Sequence, residues 1–227
     1  MILLWLVVFV FSLYFLSVLI GFLLGKKEVL TFDWYMKSRR SLTDPFTSKI
    51  QRRLNEYKSR SLKHKKWRQF GLLIFLNNFL VAVISRTVYG LLIFFPIYFT
   101  VRQGLLHGML FSNPAFSQPD LKIIFMGILE FGAYFLASAV GLDLSLSLFI
   151  NLDNPFSTIL ESLNDGMYAY ILIIIFLFMG AFLETSSLKN KLGDLPLDAD
   201  FDLEELKKQA LQKLKGKGII LTLFFQQ

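Results

Sequence analysis

The chain has 227 residues, 54% hydrophobic and 16% aromatic, with 18% charged and a formal net charge of +7. A water-soluble domain of this size carries more charge, so composition excludes an ordinary soluble globule and points to an all-α, polytopic transmembrane helical bundle. With no cysteine and only two histidines, His64 and His107, disulfides, thiolate metal sites and a three-histidine zinc site are excluded.

The first element is the uncharged run from Met1 to Gly25. About 20 apolar residues span the hydrocarbon core. The run lacks a basic leader and an A-x-A site, so it reads as a retained anchor over residues 1–25. Residues 26–69 form a basic loop, with fourteen Lys and Arg against four acids between 26 and 68. Basic loops stay on the cytoplasmic side. Within this loop Pro45 can open an amphipathic helix, since Phe46, Ile50, Leu54 and Tyr57 recur at helical spacing opposite Lys49, Arg52 and Arg53. Such a helix rests on anionic headgroups. Arg39, Arg40, Arg52, Arg53, Lys65, Lys66 and Arg68 are the expected lipid contacts. Nucleic acid is not expected as a partner, because a tether between two spans already accounts for the charge.

Residues 70–185 read as a core domain of four further spans, making about five. The second span begins at Phe70 and ends near Arg86, and the third runs roughly over 88–111. Arg102 and Gln103 are expected to mark the cytoplasmic end of the third, with 104–111 continuing as an interfacial or re-entrant turn. The fourth covers 121–142 and extends toward 150; the fifth covers 167–184. The 151–166 loop carries Asp153, Glu161 and Asp165 and no Lys or Arg, which suits the outside. The 186–227 tail holds seven lysines and suits the cytoplasm, leaving the N-terminus outside. A tail helix is expected, capped by Asp200 or Asp202, with Leu203, Leu206, Ala210, Leu211 and Leu214 on one stripe and Gly216 and Gly218 as its stop. That stripe suits a cytoplasmic protein partner. The following IILTLFF, 219–225, is apolar and β-prone and would aggregate if exposed.

Ionisable and amide side chains inside spans are costly and face the bundle interior. Glu130 lies within IIFMGILEFGAYFLASAVG. Gly127, Glu130, Tyr134, Ala137 and Gly141 follow at steps of three and four, one face of small residues with a Glu and a Tyr. Asn78, Ala82 and Ser85 make a similar face in the second span, with Asn77 rotated about 100° away. The expected network is Asn77, Asn78, Ser85, Glu130 and Tyr134, with Asn77 or Asn78 meeting the fourth span near Glu130. Gly104 and Gly108 form a packing pair around His107, itself expected to be structural and near the interface. Arg86 and Arg102 are expected to anchor at a membrane face. The glycine-rich faces can be met within the bundle or across a two-fold interface, and a homodimer is expected.

Three features carry a family resemblance: IFLNN at 74–78 followed by Val81 and Ala82, the pair Gln103–Gly104, and GILEFGAYFLASAVGLDLS at 127–145. Together they resemble the stage II sporulation protein M family of integral membrane proteins. The chain departs from that pattern at Met126, where relatives usually carry a histidine, and at Gly132. The resemblance implies a scaffolding role in a membrane-remodelling or envelope-associated complex. Two functions follow from the residues. One is a non-catalytic membrane scaffold whose basic loop and tail helix recruit cytoplasmic partners; the other is an ion or proton transporter using Glu130 as its intramembrane carboxylate. No nucleophile–base pair, metal set or cofactor motif is present in the sequence, so an enzyme is not expected.

Overall fold

A computed structural model describes residues 2–27, 45–88, 94–112 and 121–192, and these are almost wholly helical, with no strand among them. The helices are α1 (Ile2–Lys26), α2 (Pro45–Lys63), α3 (Trp67–Asn77), α4 (Ser85–Val88), α5 (Phe94–Ser112), α6 (Leu121–Ile150), α7 (Pro155–Asp165) and α8 (Met167–Leu192). A seven-residue π-helical segment, Asn78–Ile84, joins α3 to α4. The expected tail helix at 200–218, the 219–225 stretch, Arg39 and Arg40 lie outside the described residues. So do the side chains of Phe46, Ile50, Arg52, Ala82 and Ser85.

Among the described residues three helices are long and apolar enough to cross a membrane: Leu3–Lys26, Phe125–Ile150 and Met167–Asn190. The other two long runs, α3 through α4 and α5, carry Asn77, Asn78, Arg86, Arg102 and His107 and are less apolar.

Packing partners fix the relative directions of the runs. Asn78 meets Glu130 and Arg86 meets Ser138, both at a separation of 52 residues, so α3–α4 runs parallel to α6. Along α8 the order reverses: Gly180 faces Glu130, Phe176 faces Gly132, and Gly166, just before α8, faces Val140. α8 is therefore antiparallel to α6. α1 is also antiparallel to α6, with Phe11 edge-on to Phe135 and Tyr14 against Phe131. It runs parallel to α5, since Gly104 lies at Ser17 and Gly108 at Val18 and Phe22. The five runs alternate in direction along the chain.

The centre of the bundle is Val83, Ala133, Tyr134, Ala137, Ile173 and Leu177. Ala133 and Ala137 have no bulk to hold the helices apart, so α6 sits close to α8. A second cluster, Val10, Ala139 and Leu142, fastens α1 to the other side of α6. α1 buries only Val10, Tyr14, Ser17 and Gly21, at steps of three and four. The rest of its surface is Leu, Phe, Val and Trp left outside the bundle. Lipid tails are as apolar as leucine, so a helix in a bilayer gains little by hiding that surface and associates through small residues instead.

Four expectations need correction. No turn interrupts 104–111, because α5 continues unbroken to Ser112. The acidic 151–166 connection is not a plain loop. Pro155 opens α7, and its missing N–H costs nothing at a first helical position. Of the expected α2 stripe, Leu54 is half-buried and Tyr57 is exposed, and Lys58, Ser61 and Leu62 are buried beside it. Finally, Arg86 does not end at a membrane face but turns into the bundle, where it is buried.

The turn after α2 folds it back onto α3. Lys65 takes a left-handed backbone, φ 52°. Its N–H reaches Leu62 O at 2.9 Å and that of Lys66 reaches Ser61 O at 2.8 Å. These paired bonds satisfy the last carbonyls of α2 and reverse the chain in three residues.

Candidate functional site

The buried polar groups fall into two layers along α6, about two helical turns apart. The first centres on Glu130. Asn78 Nδ2 donates to Glu130 Oε1 at 3.2 Å, and Asn77 Nδ2 donates weakly to Asn78 Oδ1 at 3.4 Å. Asn78 is the asparagine that meets α6, and Asn77 bonds to Asn78. Asn77 Oδ1 is buried and has no hydrogen-bond partner. From α8 comes a second carboxylate, Glu184, also buried. Gly180, one turn earlier, makes room for the first. A Cβ there would stand 3.2 Å from Glu130 Cγ. The cation is Lys58 of α2, only 6% exposed and within Coulombic reach of both carboxylates.

Neither acid is at the middle of its helix. Glu130 is nine residues past Leu121 and Glu184 eight before Leu192. At 1.5 Å per residue both lie about 12–14 Å in from the same end of the bundle. That is the end α2 covers, and a lysine side chain can reach it from a helix resting there.

The second layer centres on Arg86. Its Nη1 donates to Ser138 Oγ at 3.2 Å and its Nη2 donates to Gln103 Oε1. The guanidinium also lies over the Tyr134 ring, 4.8 Å from the centroid. A planar group with five donors can bond two acceptors and stack on a ring at once. Tyr134 stands between the layers and feels Glu130, Glu184 and Arg86 together. Asn78 and Arg86, eight residues apart on a run that includes the π segment, meet Glu130 and Ser138, eight apart on α6.

Separate from these layers is the α1–α5 seam. Tyr14 Oη and His107 Nδ1 are 2.8 Å apart, and His107 packs against Phe131 at 4.5 Å between centroids. His107 is buried. Gly104 and Gly108 press on the α1 backbone. A Cβ on Gly104 would come 2.7 Å from Tyr14 O, and one on Gly108 would overlap Val18 O. Of the remaining expected packing residues, Ala137 and Gly141 are buried, whereas Gly127 is half-buried and meets only Phe131 of its own helix. Arg102 is half-buried. Arg53, Lys65, Lys66 and Arg68 are exposed at the α2 end.

Sequence reading missed Lys58, Glu184, Gly180 and Ser138. Glu184 had a signal: Gly180, Ala181 and Glu184 repeat the small-residue-plus-acid face of α6. It passed for the edge of the fifth run. Lys58 had none, being one lysine among many in a basic loop. Among the described residues no three of His, Asp and Glu come together as a metal ligand set.

No curated protein and no solved structure matches the chain. The family described as stage II sporulation protein M matches residues 1–186, which takes in α1, the basic loop, both polar layers and most of α8. The chain therefore belongs to the stage II sporulation protein M family of membrane proteins.

Proposed function

We propose that the protein is a non-catalytic integral membrane scaffold of a membrane-remodelling or envelope-associated complex. It would cross the bilayer five times, with α2 and the C-terminal tail on the cytoplasmic side and α7 outside. The observation that carries this reading is how the buried charges are used. Glu130 bonds Asn78 and faces Lys58, and Arg86 bonds Ser138 and Gln103; each link ties one run to another. Polar groups spent on joining helices make a rigid frame and fix a cytoplasmic helix on it. The exposed Arg53, Lys65, Lys66 and Arg68 suit anionic headgroups at that face. The tail stripe of Leu203, Leu206, Ala210, Leu211 and Leu214 suits a cytoplasmic protein, and a homodimer is compatible with the glycine-rich faces. Deleting residues 200–218 should abolish recovery of partners in pull-downs from solubilised membranes. Unchanged recovery would rule out the tail as a docking element.

A second reading has an observation of its own. Two buried carboxylates lie within Coulombic reach of Lys58, and Asn77 Oδ1, beside Asn78, is buried without a partner, a set of acceptors suited to a proton or small cation. On this reading Glu130 carries the ion. Proteoliposomes holding Glu130→Gln should then lose cation or proton flux that the parent protein shows. Equal flux from both would reject transport through Glu130.

A further inference from the structure

α7 is built inside-out. Its buried residues are Thr158 and Ser162, while Phe156 is 74% exposed and Leu160 53% exposed. The two apolar side chains are one turn apart and share a face. The inward polar groups are satisfied locally: Thr158 Oγ1 donates to Asn154 O at 2.9 Å, and Ser162 Oγ donates to Asp143 Oδ2 of α6 at 3.2 Å. In water this arrangement has the wrong sign, since it hides polar atoms and leaves a phenylalanine and a leucine in solvent.

The neighbours of that face are just as apolar. α6 ends on exposed Phe149 and Ile150, Leu152 follows, and α8 begins with exposed Met167 and Tyr168. Both flanking helices are long and apolar enough to cross a membrane, and α7 folds back from its edge along the last turns of α6, Ser162 meeting Asp143 and Gly166 meeting Val140. Exposed tyrosine at such an edge is the usual mark of the headgroup level. No Lys or Arg lies between 151 and 166, while Asp153, Glu161 and Asp165 do. Attraction to anionic lipid therefore contributes nothing here, and the remaining force is apolar burial.

We infer that α7 lies in the membrane interface, with Phe156 and Leu160 inserted among the acyl chains of zwitterionic lipid and Glu161 and Asp165 turned to water. Interfacial helices of this kind sink their apolar face about 5–10 Å past the headgroups. Inserted there, α7 would widen the leaflet that it enters, and the inference rests on reading the bundle as membrane-spanning.

The chain has no cysteine, so single-cysteine variants of the full protein label at one position only. Leu160→Cys, Glu161→Cys and, within α8, Ile175→Cys are labelled with an environment-sensitive fluorophore in phosphatidylcholine vesicles. Brominated acyl chains should quench the labels at 160 and 175, and aqueous iodide should quench the label at 161. Iodide quenching at 160 with lipid quenching at 175 would overturn the interfacial placement while leaving the membrane bundle intact. A label at 160 shielded from both quenchers would also overturn it, showing a second copy or another protein on that face. Iodide quenching at 175 would overturn the membrane-spanning reading itself.

Discussion

Lys58→Met is expected to destabilise the detergent-solubilised protein by on the order of 3 kcal/mol, the usual result of removing one partner from a buried charged group. Lys58 is buried against two carboxylates on two different helices, and the methionine leaves both without their cation. Either the acids stay charged in a poor solvent or they take up protons, and both cost free energy. Adding Glu130→Gln to Lys58→Met should recover much of the loss, because the amide keeps the length of the side chain and still accepts from Asn78. Residues in one network couple in this non-additive way. Thermal unfolding followed by far-UV ellipticity measures all three proteins. A single variant that melts with the parent would show that α2 is held on the bundle by its packing on α3 alone.

Gly108→Val should be the most damaging change at the α1–α5 seam. The Cβ of any residue at 108 overlaps the Val18 carbonyl and crowds Phe22 N, both main-chain atoms that cannot swing aside. The helices must separate, and Tyr14 and His107 then lose their 2.8 Å contact. Overpacking typically costs about 1–3 kcal/mol. The loss of a buried hydrogen bond adds about 1 kcal/mol. Gly127→Val is the control, since a Cβ there meets only the Phe131 ring of its own helix at ordinary contact distance. The expected result is a clear drop in melting temperature for Gly108→Val and a small one for Gly127→Val. Two equal drops would mean that α1 and α5 do not approach through Gly108.

The tight seam also explains why the chain can keep a tyrosine, a histidine and an arginine inside an apolar bundle. Each has a partner on a neighbouring helix, and the glycines and alanines bring those helices near enough for short side chains to meet. Replacing the small residues would lengthen every one of those contacts. The polar layers and the small-residue faces are thus one design, with close approach as the condition for the hydrogen bonds.

Much of this was legible from local rules. Long uncharged runs have one low-cost solution in a membrane, a helix with every backbone bond internal, so the helical class and the apolar runs were written in composition. The face of Glu130, Tyr134 and Ala137 was legible because α6 is a regular helix whose steps of three and four survive in three dimensions. The Asn78–Glu130 pairing was legible for the same reason: a buried carboxylate needs donors, and the second run offers few. What sequence could not show is anything that depends on a break in that regularity or on a distant element. Arg86 finds Ser138 and Gln103 only because two other helices lie beside it. Lys58 finds its carboxylates only because a left-handed Lys65 turns α2 back over the bundle. α7 turns its apolar side outward only because Asp143, on a separate helix, accepts from Ser162. Periodicity reads one helix at a time, and the partner of a buried charge is chosen by whichever helix folding brings alongside it.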